Sequence, residues 1–193
     1  MSEELRQSVR DRIWITMKSR MIAEARLKKL DWYNNTILVS VSVNVILLSV
    51  FEGKLSRFGF SPSSLSLGLS IVILVLSVLI LGTKASQRAS DFRSCYLELE
   101  RLLAQSLSVE NLALRFSKIK TKYPNHRDSD FFDLICERVV FLNQKIPGAE
   151  EISGPRKAWI TSSYIVRRLI PAFLLFSSCF FCGALIIFSS LVD

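Results

Sequence analysis

The chain has 193 residues, half of them hydrophobic, with a formal net charge of +8 and a pI near 9.6. A soluble domain of this size must cover its surface with polar groups, so a positive mean hydropathy of +0.33 excludes an ordinary water-soluble globule. Nucleic-acid binding, the usual reading of a basic chain, is not expected, because Lys and Arg collect in residues 1–35 and 84–168, beside apolar runs.

Residues 1–30 read as one helix. Val9, Ile13, Met17 and Met21 recur every four residues with Trp14 and Ala25 nearby, and neither Gly nor Pro interrupts. Glu24 stands four residues before Lys28, the favourable order for an ion pair, while Arg20 and Arg26 add to a basic face. Such a helix either lies on anionic headgroups or packs on other helices. Packing is favoured, since Glu3, Glu4, Asp11 and Glu24 dilute the charge.

The first apolar run, Thr36 to Phe51, is charge-free but short and polar for a span, holding Ser40, Ser42, Asn44 and Ser49. Trp32 and Tyr33 extend it with rings that favour the interface, which places the span at 34–51. It begins too far along to be a cleavable signal, so it is expected to remain in the mature protein. The second run, Leu65 to Thr83, has about the 20 apolar residues a span needs, giving a hairpin of 34–51 and 65–83. Lys28 and Lys29 precede it and Lys84 and Arg88 follow it, whereas the short connection 52–64 holds only Lys54 and Arg57. By the positive-inside rule the N-terminus and everything after Thr83 are cytosolic.

Residues 84–145 then carry three helical stripes. Phe92, Tyr96, Leu99 and Leu103 form one, and Leu112, Phe116, Ile119 and Tyr123 a second, with Ser108 as N-cap between them. Turn chemistry over 124–128 leads to a third, Phe131, Ile135, Val139 and Leu142, which Ser129 is placed to cap. Asp130 and Asp133 suit its first turn, and Arg138 and Lys145 its later ones. Pro147-Gly148 ends this helix, and residues 146–168 read as a linker broken again at Ser153-Gly154-Pro155. Arg156, Lys157, Arg167 and Arg168 precede a third charge-free run, Leu169 to Val192, so a C-terminal transmembrane helix is expected at 169–192 with its end outside. Pro171 is tolerable there if it falls in a first turn. The fold class is therefore an all-α membrane protein: a transmembrane hairpin, cytosolic amphipathic helices and a third C-terminal span.

No catalytic constellation emerges. His126 sits in a polar turn as a surface residue, and no phosphate-cradling glycine motif or nucleophile elbow is present. Cys95 and Cys136 lie in cytosolic segments, and Cys179 and Cys182 inside an apolar run are packing residues rather than a disulfide, zinc or redox pair. No cofactor or metal is expected. The candidate functional residues are Thr36, Ser40 and Asn44, four apart and so on one face of the first span. An Asn in hydrocarbon needs a hydrogen-bond partner, either across a helix interface or from water lining a pore. Lys28, Lys29, Lys84, Arg88, Arg167 and Arg168 form the basic membrane-interface set.

Residues 5–145 resemble the SLATT family of bacterial two-transmembrane effector domains. The resemblance rests on Arg12-Ile13-Trp14, on Arg20-Met21-Ile22-Ala23-Glu24-Ala25-Arg26-Leu27, on the short hairpin, and on Phe92-Arg93-Ser94-Cys95-Tyr96-Leu97-Glu98-Leu99. It is closest in layout to the subgroup found near reverse transcriptases, which often has a further C-terminal hydrophobic segment. The resemblance implies a non-enzymatic antiphage effector in the bacterial inner membrane, with residues 1–145 as the domain. Such an effector oligomerises and breaches the membrane when a separate cytosolic sensor triggers it. The alternative is a membrane anchor or scaffold that holds a soluble partner, such as a reverse transcriptase or nucleotidyltransferase, without forming a pore.

Overall fold

The computed structural model describes residues 2–52, 61–142, 144, 146 and 154–191. Its helices are α1 (Ser2–Val50), α2 (Pro62–Thr83), α3 (Ala85–Ala104), α4 (Val109–Lys122), α5 (Asp128–Ile135) and α6 (Gly154–Leu191), with a π-helical turn over Cys136–Phe141 prolonging α5. No strand occurs among the described residues, and the fold is all-α. Two helical stretches, within Glu3–Val50 and Ser63–Ala104, are long and apolar enough to cross a bilayer. The chain forms two compact units, Met1–Lys29 with Ala85–Val166 and Leu30–Lys84 with Arg167–Asp193.

In the first unit the opening stretch of α1 packs as a core helix. Ile13 is completely buried and Met17 nearly so, against Cys95, Leu99 and Leu102 of α3 and Leu112 of α4. The expected four-residue stripe holds only for its middle. Each step of four residues overshoots one helical turn by roughly 40°, so the row rotates off the buried face. Met21 and Ala25 accordingly emerge into solvent, and Arg20, Ala23, Glu24 and Leu27 take over the buried side. On α3 the buried line runs Phe92, Cys95, Leu99 and Leu102, one position away from the Tyr96 and Leu103 that flank it half-buried.

The helix boundaries have local causes. Ser108 caps α4, its hydroxyl accepting the Asn111 N–H at 3.4 Å. The cap of α5 is Arg127 rather than Ser129, because Asp130, three residues on, accepts the Arg127 N–H at 2.9 Å and fixes the start there. Past Ile135 the wider π turn carries Leu142 out of the stripe and leaves it exposed, while Leu134, Ile135 and Cys136 are buried with Ile146, Ile160 and Tyr164. Lys84 alone separates α2 from α3. It takes a left-handed conformation, φ 47°, and its N–H caps the Leu81 carbonyl, so the second apolar run stops at Thr83 as expected.

Residues 154–168, expected to be a linker, are helical. Ile160 and Tyr164 are buried in the first unit, and that burial draws α6 back to Gly154. Pro147-Gly148 lies outside the described residues. One consequence corrects the reading of Pro171. It lies in the interior of α6 and not in a first turn, so it removes a helical hydrogen bond there. The third apolar run is thus continuous with a helix that begins well before it.

Candidate functional site

Two places concentrate polar groups where apolar ones would be expected, one in each unit. In the second unit the polar residues of the first span are tied to their own helix. Thr36 Oγ1 donates to the Trp32 carbonyl at 2.8 Å, Ser42 Oγ to Leu38 at 2.8 Å, Asn44 Nδ2 to Ser40 at 3.0 Å and Ser49 Oγ to Val45 at 3.1 Å. These i→i−4 bonds satisfy donors that a bilayer would leave orphaned. Asn44 is buried, 4% exposed, and Leu48 one turn on is also buried, whereas Thr36 and Ser40 are half-buried. Around them the apolar surface stays open: Val39, Val43, Ile46 and Val50 on α1 and Leu67, Leu74, Val78 and Leu81 on α2 are exposed.

In the first unit a charged network lies inside the bundle. Asp130 is fully buried and accepts two hydrogen bonds from Arg26, at 2.7 Å from Nε and 3.3 Å from Nη2, which ties α1 to the start of α5. Glu24, 8% exposed, pairs with Lys28 at 2.6 Å, and it also raises the Tyr96 hydroxyl pKa, an effect second to that of burial. Arg20 is wholly buried, and its Nη1 donates to the Cys95 thiol. Burial pushes that thiol pKa up, and the neighbouring guanidinium pulls against the shift. At the periphery Glu98 accepts from Lys122 Nζ at 2.6 Å and from Tyr123 at 2.7 Å, contacts that hold its carboxyl below the usual range. An open groove of about 290 Å³ between α3 and α4 carries Arg101, Arg115 and Lys118 over Leu102 and Ile119.

Arg20 and Arg26, expected together on a basic face, are instead buried and half-buried. Arg20 follows Ile13 by seven residues, two helical turns, and so falls on the buried side. That spacing was the available signal. His126 is half-buried rather than a surface residue, and its Nδ1 has no hydrogen-bond partner among the described residues. Of the interface set, Lys28 is paired as above, Lys84 forms the left-handed cap, and Lys29, Arg88, Arg167 and Arg168 are exposed.

Burial and the charge of Arg20 depress the His126 pKa, while Asp130 and Asp128 oppose them. The folded state therefore favours the neutral ring. Above the ordinary value of about 6.5 both folded and unfolded chains carry it neutral, and stability is complete. As pH falls through that value toward the depressed folded one, the unfolded chain binds the proton first and stability is lost. Denaturant midpoints at pH 7.5 and 5.5 should show this drop, and His126→Gln should flatten it, because the chain has a single histidine.

The chain is all-α with two helices long and apolar enough to cross a membrane, and a family model decides its kinship. The model described as "SMODS and SLOG-associating 2TM effector domain family 5" matches residues 1–189. The chain belongs to the SLATT family. The match reaches residue 189, within α6. The family description names a membrane effector and no reaction. No curated protein and no solved structure matches the chain.

Proposed function

We propose that this SLATT chain is the membrane-breaching effector of a bacterial conflict system. Copies assemble through their spans, the C-terminal run of α6 included, and open the inner membrane when a separate cytosolic sensor acts on the helical bundle. The N-terminus and the bundle face the cytosol, and the end of α6 lies outside. The association with SMODS and SLOG proteins in the family's description supports a trigger supplied in trans. The observation that carries the assembly is the uncovered apolar surface of α2, where Leu67, Leu74, Val78 and Leu81 are 62–77% exposed. Only lipid or other helices can cover such a surface. Asn44 then supplies the polar side of a helix–helix contact or of a water-filled path.

The test is release of a trapped dye from liposomes holding the purified oligomer, with membrane potential followed in expressing cells. Asn44→Leu is expected to insert normally and to reduce leakage at least about tenfold, by removing the amide that water or a facing helix uses. Intact membrane potential and viability under strong, activated expression of the unsubstituted chain would rule the reading out. Co-purification with a soluble partner and no leakage would point instead to a membrane anchor.

A further inference from the structure

The π turn after Ile135 leaves large apolar side chains uncovered at one place on the first unit. Two α-helical turns past Ile135, Leu142 would return to the core, but the wider turn rotates it outward beside Phe141. Both are 57% exposed, and Ile165 and Val166 of α6 are 45% and 52% exposed. Tyr164 joins the two elements. Its hydroxyl donates to Glu137 Oε1 at 3.1 Å, and its ring centroid lies 5.8 Å from that of Phe141. The Gln144 N–H closes the turn on the Arg138 carbonyl at 2.8 Å. The end of the π turn is therefore fixed alongside α6 at the level of Tyr164.

Tyr164 stands five residues before Leu169, where the charge-free run of α6 begins. Along a helix that separation is roughly 7.5 Å, comparable to the headgroup layer on one side of a bilayer. Arg167 and Arg168, both exposed, fall between, and their long stems let the charges reach lipid phosphates while apolar neighbours go deeper. We propose that Phe141 and Leu142, with Ile165 and Val166, insert into the headgroup–acyl boundary of the cytosolic leaflet. The π turn is then a membrane-contact loop of the bundle. Its occupant is lipid because these side chains surround the turn at which α6 meets the bilayer. The inference rests on the reading of Leu169 to Val192 as a span, and it deepens the effector reading. A movement of α5 then acts on α6 where that helix enters the membrane.

A tryptophan added to the full chain in liposomes tests the contact, its fluorescence read as the difference from the unsubstituted protein. Leu142→Trp is expected to lose at least about half of that signal to lipids brominated near the headgroup end of the acyl chain. Acrylamide in the water should quench it less than about half as strongly as Leu114→Trp, whose site on α4 is similarly exposed at 56%. Phe141→Trp repeats the reading if Leu142→Trp folds poorly. Equal quenching of Leu142→Trp and Leu114→Trp by acrylamide overturns the proposal. Shielding of Leu142→Trp from both quenchers overturns it too, since a protein would then cover the site. Phe173→Trp reports on the span itself, through lipids brominated deep in the acyl chain. If Phe173→Trp is quenched and Leu142→Trp is not, the contact falls and the span stands. If neither is quenched, both fall.

Discussion

Asp130→Ala is expected to destabilise the first unit by about 3–5 kcal/mol, the range for breaking a buried pair and leaving one partner behind. The side chain is completely buried and receives three hydrogen bonds, two from Arg26 and one from the Arg127 N–H. Alanine removes both acceptor oxygens and with them all three bonds. It strands a half-buried guanidinium and uncaps α5 in the same step. Asp130→Asn should recover part of the loss, because an amide oxygen can still accept the Arg127 N–H while the ion pair is gone. Thermal or denaturant unfolding in detergent, followed by helical circular dichroism, ranks the three chains. Equal midpoints for wild type and Asp130→Ala would show that the pair contributes nothing.

Leu99→Ala should be comparably severe, at about 2–5 kcal/mol. Leu99 is fully buried where α1, α3 and α4 meet, with Ile13, Met17, Cys95, Leu102 and Leu112 around it. Truncation there loses the transfer free energy of the methyl groups and leaves a cavity that three rigid helices cannot collapse into. Leu114 makes the control. It lies on α4 but is 56% exposed, so Leu114→Ala should move the midpoint by no more than about 0.5 kcal/mol. A matching loss at both positions would mean that the bundle has no specific core at Leu99.

Much of this architecture was legible in the residues, for identifiable reasons. The Lys84 boundary followed from an abrupt change of composition, and a helix in hydrocarbon cannot extend its apolar run past the first charges. Ser108 was legible because a hydroxyl before an amphipathic stripe satisfies a backbone donor wherever it occurs. The Glu24–Lys28 pair followed from spacing alone. Other features depended on partners remote in sequence. Arg26 and Asp130 are 104 residues apart, and nothing local distinguishes them from the surface charges beside them. The start of α6 was hidden because Gly154 and Pro155 look like a break, and only the burial of Ile160 and Tyr164 extends the helix back to them. The π turn after Ile135 likewise has no composition of its own, and it displaced the end of an otherwise correct stripe. In the first span, spacing aligned Thr36, Ser40 and Asn44, but only packing separates the buried Asn44 from its half-buried neighbours.

The self-bonded side chains of that span also bear on how it enters the bilayer. A nascent segment is sorted at the insertion machinery by its transfer free energy, to which each unsatisfied donor adds a penalty. Thr36, Ser42, Asn44 and Ser49 each deliver a proton to a carbonyl four residues back, so the segment partitions as though it were less polar than its composition. A short span can therefore be inserted and stored as an inconspicuous helix during biogenesis. Its polarity is deferred rather than lost. A water or a facing helix that offers another acceptor takes over such a bond at small net cost, which makes the polar face available after insertion is complete.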